Sequence, residues 1–149
     1  MNKTELKSRL RKLFEEQRLA VLSTHSQGQP YSSLVAFSDS GDLKCLHFAT
    51  NRATRKFANL SNDARVSLMV DNRSNSTDDF REAMAVTITG RARDVDANEK
   101  AVLVKAYLAK HPYLDEFVNA PTCALIEVEV DTYYAVYQFQ NVLELHMKP

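Results

Sequence analysis

Two runs of strict alternation limit what this chain can fold into. In "MAVTITGRA", Met84, Val86 and Ile88 alternate with Thr87 and Thr89; in "ALIEVEVD", Ala124, Ile126, Val128 and Val130 oppose Glu127, Glu129 and Asp131. A period of two sends successive side chains to opposite faces, so each run reads as a strand with one buried face. "LAVLST", "YSSLVAF", "LKCLHFA", "ARVSLMVD" and "TYYAVYQF" extend the set to about seven. The first three are joined by "SQGQP", whose Gly28 supplies a turn, and by "SDSGD". Connections of turn length imply antiparallel pairing.

Helical periods interrupt the strands in three places. Asn2 and Glu5 have capping-box spacing, and Leu6, Leu10, Leu13 and Phe14 form one apolar stripe behind them. "TRKFANLSN" is a short helix ending at Asn62. Asp96 and Glu99 open a second long helix with Ala101, Val104, Tyr107 and Leu108 on one side, and it stops before Pro112. "NRSNSTDD" is polar and reads as a loop. Without repeats or a linker-like tract, residues 1–149 are expected to form one mainly β domain, an antiparallel barrel with appended helices rather than a βαβ stack.

Composition removes several functions. The 19 basic and 19 acidic side chains cancel, which argues against general nucleic-acid binding. The N-terminus is charged throughout and no apolar run approaches the roughly 20 residues that span a bilayer, so a soluble, cytoplasmic protein is expected. Gly28, Gly41 and Gly90 are scattered, whereas dinucleotide and Walker phosphate loops need clustered glycines. His25, His47, His111 and His146 show no metal-site spacing, and Cys45 and Cys123 read as buried free thiols, so no metal is expected.

One stretch breaks the mixed charge pattern. From Leu43 to Asn62 there is no acidic residue, while "FATNRATRK" places Arg52, Arg55 and Lys56 where a strand gives way to a helix. A helix start already carries unpaired N–H groups and partial positive charge, so cations there are mildly unfavourable unless an anion sits above the turn. A phosphate could take those N–H groups, the Thr54 hydroxyl and charge-assisted bonds from Arg55 and Lys56. The plain alternative is a solvated helix start whose charges keep the surface soluble.

"FATNRATRKFANL", preceded by "QGQPYSSLVAF" and followed by "NDARVSLMV", resembles the pyridoxamine 5′-phosphate oxidase family of FMN-binding split barrels. That family carries a Tyr-Thr-Asn-x-x-Ser-Arg-Lys motif after its third strand and an Asn-Pro-Arg-Val-type motif before its fourth. The likeness extends from Leu19 to Ala92. It implies an FMN-binding split β-barrel of antiparallel Greek-key type, a homodimer with FMN at the subunit interface. Carried over by position, Thr50 contacts the flavin with its motif neighbours Ala49 and Asn51, and Thr54, Arg55 and Lys56 hold the FMN phosphate. Ser33, Leu34 and Val35 offer backbone groups along the ring, and Asn72 and Arg73 approach it from the loop after the fourth strand.

The same resemblance marks departures. The family's arginine and lysine on the second strand fall at Ser33 and Ser38, its glutamine before the fifth-strand glycine falls at Ala85, and "QNVLELHMKP" lacks its Arg-x-His arrangement. These losses remove the charge that a phosphorylated vitamin substrate needs. The expectation is therefore an FMN-dependent oxidoreductase on another small molecule, with Tyr31, Arg73 and His47 as polar groups near the cleft. Two other readings stay open: a haem- or tetrapyrrole-binding or -degrading split barrel, with His146 as candidate axial ligand, and a non-catalytic flavin module. A deazaflavin could use the same barrel.

Overall fold

Seven strands form, and six of them close on themselves. The computed structural model describes residues 1–148, in which α1 (Lys3–Glu16) leads into β1 (Leu19–Ser26), β2 (Gln29–Asp39) and β3 (Cys45–Asn51). After these come α2 (Arg55–Asn62), β4 (Arg65–Asp71), α3 (Asp79–Glu82) and β5 (Met84–Asp94). The chain ends with α4 (Ala97–Lys110), a 3₁₀ turn at Pro112–Leu114, α5 (Asp115–Asn119), β6 (Cys123–Tyr137) and β7 (Asn141–His146). The sheet order is β3-β2-β1-β4-β5-β6-β7, and a β3–β6 pairing closes the first six strands into an antiparallel barrel.

The expected number of strands is met by a different set. "ALIEVEVD" and "TYYAVYQF" are one 15-residue strand, β6, and the seventh strand is β7, in the tail. The break in alternation has a physical cause. Thr89 pairs with Thr132 and Gly90 with Val130, so Asp131 is an extra residue opposite that step. Such a bulge reverses which residues face inward: Val128 and Val130 point to the core before it, Tyr133 and Ala135 after it. β6 serves three neighbours, with β3 along its first half, β7 along its second and β5 beside both.

Local chemistry accounts for the joins. Gln27 and Gly28 both have positive φ (50° and 80°), the geometry of a two-residue hairpin turn between Ser26 and Gln29. Asn2 caps α1 by accepting from the Glu5 N–H at 2.9 Å, and Asp96 caps α4 by accepting from the Glu99 N–H at 2.8 Å.

The stripe Leu6, Leu10, Leu13 and Phe14 is buried in the barrel core, where the Phe14 ring meets Phe37 edge-on at 5.7 Å. A second cluster lies outside the barrel wall, where Val104 and Tyr107 of α4 and Val118 of α5 cover Ala49 and Leu125. Ala101, expected on the covered side of α4, is exposed. The first turn of that helix is tied down by Lys100 instead, whose Nζ donates to the Cys123 carbonyl at 2.8 Å. No helix among the described residues is long and apolar enough to cross a membrane.

Candidate functional site

The split in the barrel lies between β2 and β3. These strands pair only through Phe37–Asp39 of β2, while β1 pairs with β2 along its whole length. The edge of β2 from Tyr31 to Ala36 therefore faces β3 without a ladder. Such an edge presents backbone N–H and C=O groups that a ligand can bond. Leu34 and Val35, predicted to offer backbone there, lie on it.

Opposite that edge, the chain leaves β3 through a threonine turn. Thr54 donates its hydroxyl to the Asn51 carbonyl at 2.9 Å and accepts from the Phe57 N–H at 3.3 Å, which makes it the N-cap of α2. The Asn51 side chain accepts from the Ala53 N–H at 2.8 Å. Thr50, 1 % exposed, brings its hydroxyl within 2.9 Å of the Thr54 hydroxyl. Two hydroxyls thus meet under the first turn of a helix.

The three cations of this stretch separate in space. Arg52 is neutralised by a two-point contact with Asp94 and lies 5.4 Å from the Phe57 ring. Arg55 rests over Tyr31, 5.6 Å from the ring centroid. Lys56 is half-buried. Among the described residues neither Arg55 nor Lys56 has a carboxylate within ion-pair distance.

A cleft of about 340 Å³ joins the split edge to this turn and gathers most of the predicted residues: Leu34, Val35, Ala49, Thr50, Asn51, Thr54 and Lys56. Its remaining wall is Ala36, Tyr107, Leu114 and Phe117. These four escaped the sequence reading, because Tyr107 and Leu114 carry only the signal of core residues. Burial pushes the Tyr107 hydroxyl up to about 12, and it donates to the Ala36 carbonyl at 2.8 Å, which ties α4 to the edge of β2.

Ser33 lies on the same edge of β2 but does not line this cleft, and neither do Arg55, Asn72 and Arg73. Arg55 lines a neighbouring cleft of about 290 Å³ with Tyr31 and Asn59. The Ser33 hydroxyl is the one buried side-chain polar atom without a hydrogen-bond partner among the described residues. Asn72 holds the start of β5, its Oδ1 accepting from the Met84 N–H at 2.7 Å. Arg73 pairs with Asp71 at 3.0 Å and lines two other clefts.

The histidines named from sequence are engaged. His47 is 7 % exposed at its side chain and bonds Glu127 at 2.9 Å. Burial alone would raise the Glu127 carboxyl, but His47 and Arg93 hold it below its ordinary value. His146 meets Thr132 through Nδ1 and Glu144 through Nε2, so both ring nitrogens are taken. No cluster of metal-ligating side chains occurs among the described residues.

The model of one family, described as pyridoxamine 5′-phosphate oxidase, matches residues 6–137. The chain belongs to that family. No curated protein matches it in sequence. Several solved structures share the fold of this pyridoxamine 5′-phosphate oxidase family member. General Stress Protein 26 from Bacillus anthracis superposes with a TM-score of 0.74 at 20% identity, covering 96% of this chain and 99% of that one. A FAD-binding protein from Mesorhizobium loti gives 0.70 at 18% identity, with 91% and 94% covered. A haem-binding protein from Mycobacterium smegmatis gives 0.81 at 17% identity, with 94% of this chain covered but only 57% of that one. Within the family frame, Ser33, Ser38 and Ala85 stand where a basic or amide side chain was expected, and Ser38 is buried.

Proposed function

We propose that this member of the pyridoxamine 5′-phosphate oxidase family is an FMN-binding oxidoreductase acting on a small molecule other than a B6 vitamer. The observation that carries the reading is Lys56, a half-buried cation with no acidic partner among the described residues, beside the Thr50–Thr54 hydroxyl pair at the start of α2. A cation without a carboxylate partner keeps its charge for a ligand, and a phosphate ester is a strong charge-assisted partner for it. The Thr54 cap, the open N–H groups of the first turn and Lys56 would hold the phosphate. Each charge-assisted bond contributes roughly 1.5–3 kcal/mol, so two or three anchor a ligand.

The flavin ring would lie along the unpaired edge of β2, against Leu34, Val35 and the Ala49 side of β3. When bound, FMN supplies the electron-accepting chemistry. The chain's own part is to orient the ring by backbone bonds from β2, to exclude water with Leu114 and Phe117, and to keep Tyr107 protonated. The cleft of about 340 Å³ is near the lower end of small-molecule sites, roughly 300–1,000 Å³. That size suits a site completed by a second subunit, and we propose a homodimer with Asn72 and Arg73 reaching the partner's flavin.

The named flavin- and haem-binding neighbours set the test. Purified protein titrated with FMN is expected to give a bound flavin spectrum that bleaches with dithionite. A Soret band on haem titration, lost in His146→Ala, together with no flavin binding, would move the protein to the haem-binding class. His146 already spends both ring nitrogens on protein partners, which favours the flavin.

A further inference from the structure

The β2–β3 ladder stops at a definite rung, and a side chain from α4 stands in it. Phe37 pairs with Phe48, Ser38 with His47 and Asp39 with Leu46, so the next partners in this register are Ala36 and Ala49. In an antiparallel ladder every second pair exchanges both of its N–H···O=C bonds. The Ser40 N–H donates to the Cys45 carbonyl at 3.0 Å, which makes Ser40–Cys45 and Ser38–His47 bonded pairs and Ala36–Ala49 the next in line. That pair is absent from the ladder. The Ala36 carbonyl accepts instead from the Tyr107 hydroxyl at 2.8 Å. Burial raises that hydroxyl, and the Ala49 N–H beside the same oxygen pulls it partly back. One phenolic oxygen therefore faces both backbone groups that would otherwise bond each other, and a phenol can donate to one and accept from the other.

The residues at the rung suit this insertion. Val35 and Phe37 belong to the barrel core, so Ala36 between them faces outward, and Ala49 lies in the outer cluster with Val104 and Tyr107. Two methyl side chains opposite each other leave a ring from α4 room to reach the backbone. Tyr107 is 1% exposed, so bulk water does not compete for the place.

The helix is docked by more than this contact. His111, one turn on, donates through Nε2 to the Phe37 carbonyl at 2.7 Å. The Phe37 N–H bonds the Arg18 carbonyl, so His111 acts on the β1 side of the strand, away from the split. Lys110 donates to the Phe14 carbonyl at the end of α1 at 2.6 Å, its Nζ lying 3.8 Å from the Phe37 ring centroid. Of these three side chains only Tyr107 lines the cleft at the threonine turn.

We propose that the Tyr107 hydroxyl is a positioning group that keeps the split open by standing in the Ala36–Ala49 rung, and that it thereby sets the end of the cleft against which the flavin ring rests. The rung stands on the geometry of this chain; its bearing on the ring rests on the flavin reading. Without the hydroxyl, the Ala36 carbonyl and the Ala49 N–H face each other with no partner, and such buried groups pair rather than stay unsatisfied. Pairing draws the strands to ladder spacing, roughly 4.8 Å, and removes the ring end of the cleft.

The test compares Tyr107→Phe, which keeps the ring and loses the hydroxyl, with His111→Ala, which loosens the same helix away from the split. In ligand-free protein, a scalar coupling through the hydrogen bond from the Ala49 nitrogen to the Ala36 carbonyl carbon is expected in Tyr107→Phe and absent in wild type. FMN and riboflavin should both bind Tyr107→Phe roughly fivefold or more weakly and by the same factor, because they share the ring. His111→Ala should lower the thermal midpoint while leaving both affinities within roughly twofold. A coupling already present in wild type, none in Tyr107→Phe, unchanged affinities, or equal losses in His111→Ala would overturn the proposal. So would a Tyr107→Phe protein that does not fold, since the hydroxyl would then be holding the whole barrel rather than the split. The expected couplings in a protein that binds no flavin would sink the flavin reading and the ring assignment with it, and leave the rung standing.

Discussion

Gly90 is where two strands of the barrel touch. A Cβ at this position would stand 2.3 Å from the Glu129 carbonyl oxygen, which is backbone and cannot turn aside. Gly90→Ala is therefore expected to lower stability by about 1–3 kcal/mol in urea denaturation, the usual cost of forcing an extra methyl into packed structure. The cations behave differently from one another. Arg52 spends its charge on Asp94, so Arg52→Gln should leave FMN affinity within roughly twofold, whereas Lys56→Gln should cost roughly tenfold or more. Equal losses in a titration would mean that the whole stretch acts through folding. The sequence reading gave the phosphate to Arg55 and Lys56 and left Arg52 out. It could not show that Asp94, far along the chain, takes Arg52, or that Arg55 turns to Tyr31 once β2 is in place.

Caps and stripes made most elements legible. The Asn2 and Asp96 caps and the Leu6–Phe14 stripe are local signals, each contained within a few turns of chain, and the folded protein uses all of them. Asp96→Ala should therefore destabilise by about 1 kcal/mol, read as a lower midpoint in thermal unfolding. The long strand β6 was not legible as one element. Its bulge at Asp131 reverses the inward face, and a pattern of period two has no way to bridge that reversal. The site was legible to the same degree. Thr54, Lys56 and the edge of β2 come from contiguous motifs, whereas Tyr107, Leu114 and Phe117 reach the cleft from helices whose docking depends on the whole barrel.

At the scale of the molecule, burial sets the response to alkali. It pushes the Cys45 thiol from 9.0 up to about 11 and the Tyr107 hydroxyl from 10.0 up to about 12, and it raises Tyr133 as well. Each acid ionises more easily in the unfolded chain, so its stabilisation is full below its ordinary value and is lost as pH rises through the folded one. Lys110, lowered by burial to about 8, acts in the opposite sense between about 8 and 10.5. Wild type and Tyr107→Phe isolate one group: the stability advantage of wild type should shrink between pH 10 and 12, and a constant gap in unfolding experiments would contradict the burial account.

The outer face also carries Leu19, Leu34 and Met69, which are 54%, 66% and 42% exposed. An apolar patch of this kind is normally covered. Sedimentation is expected to show a dimer that Leu34→Glu weakens, and a monomer that still binds FMN tightly would remove the shared-cleft proposal.

The account turns on a phosphate held at the start of α2. The most direct measurement is calorimetric titration of wild type and Lys56→Ala with FMN and with riboflavin, which lacks the phosphate. The account predicts that the variant loses roughly tenfold or more in FMN affinity and almost nothing for riboflavin. Equal losses for the two ligands, or none for FMN, would contradict it.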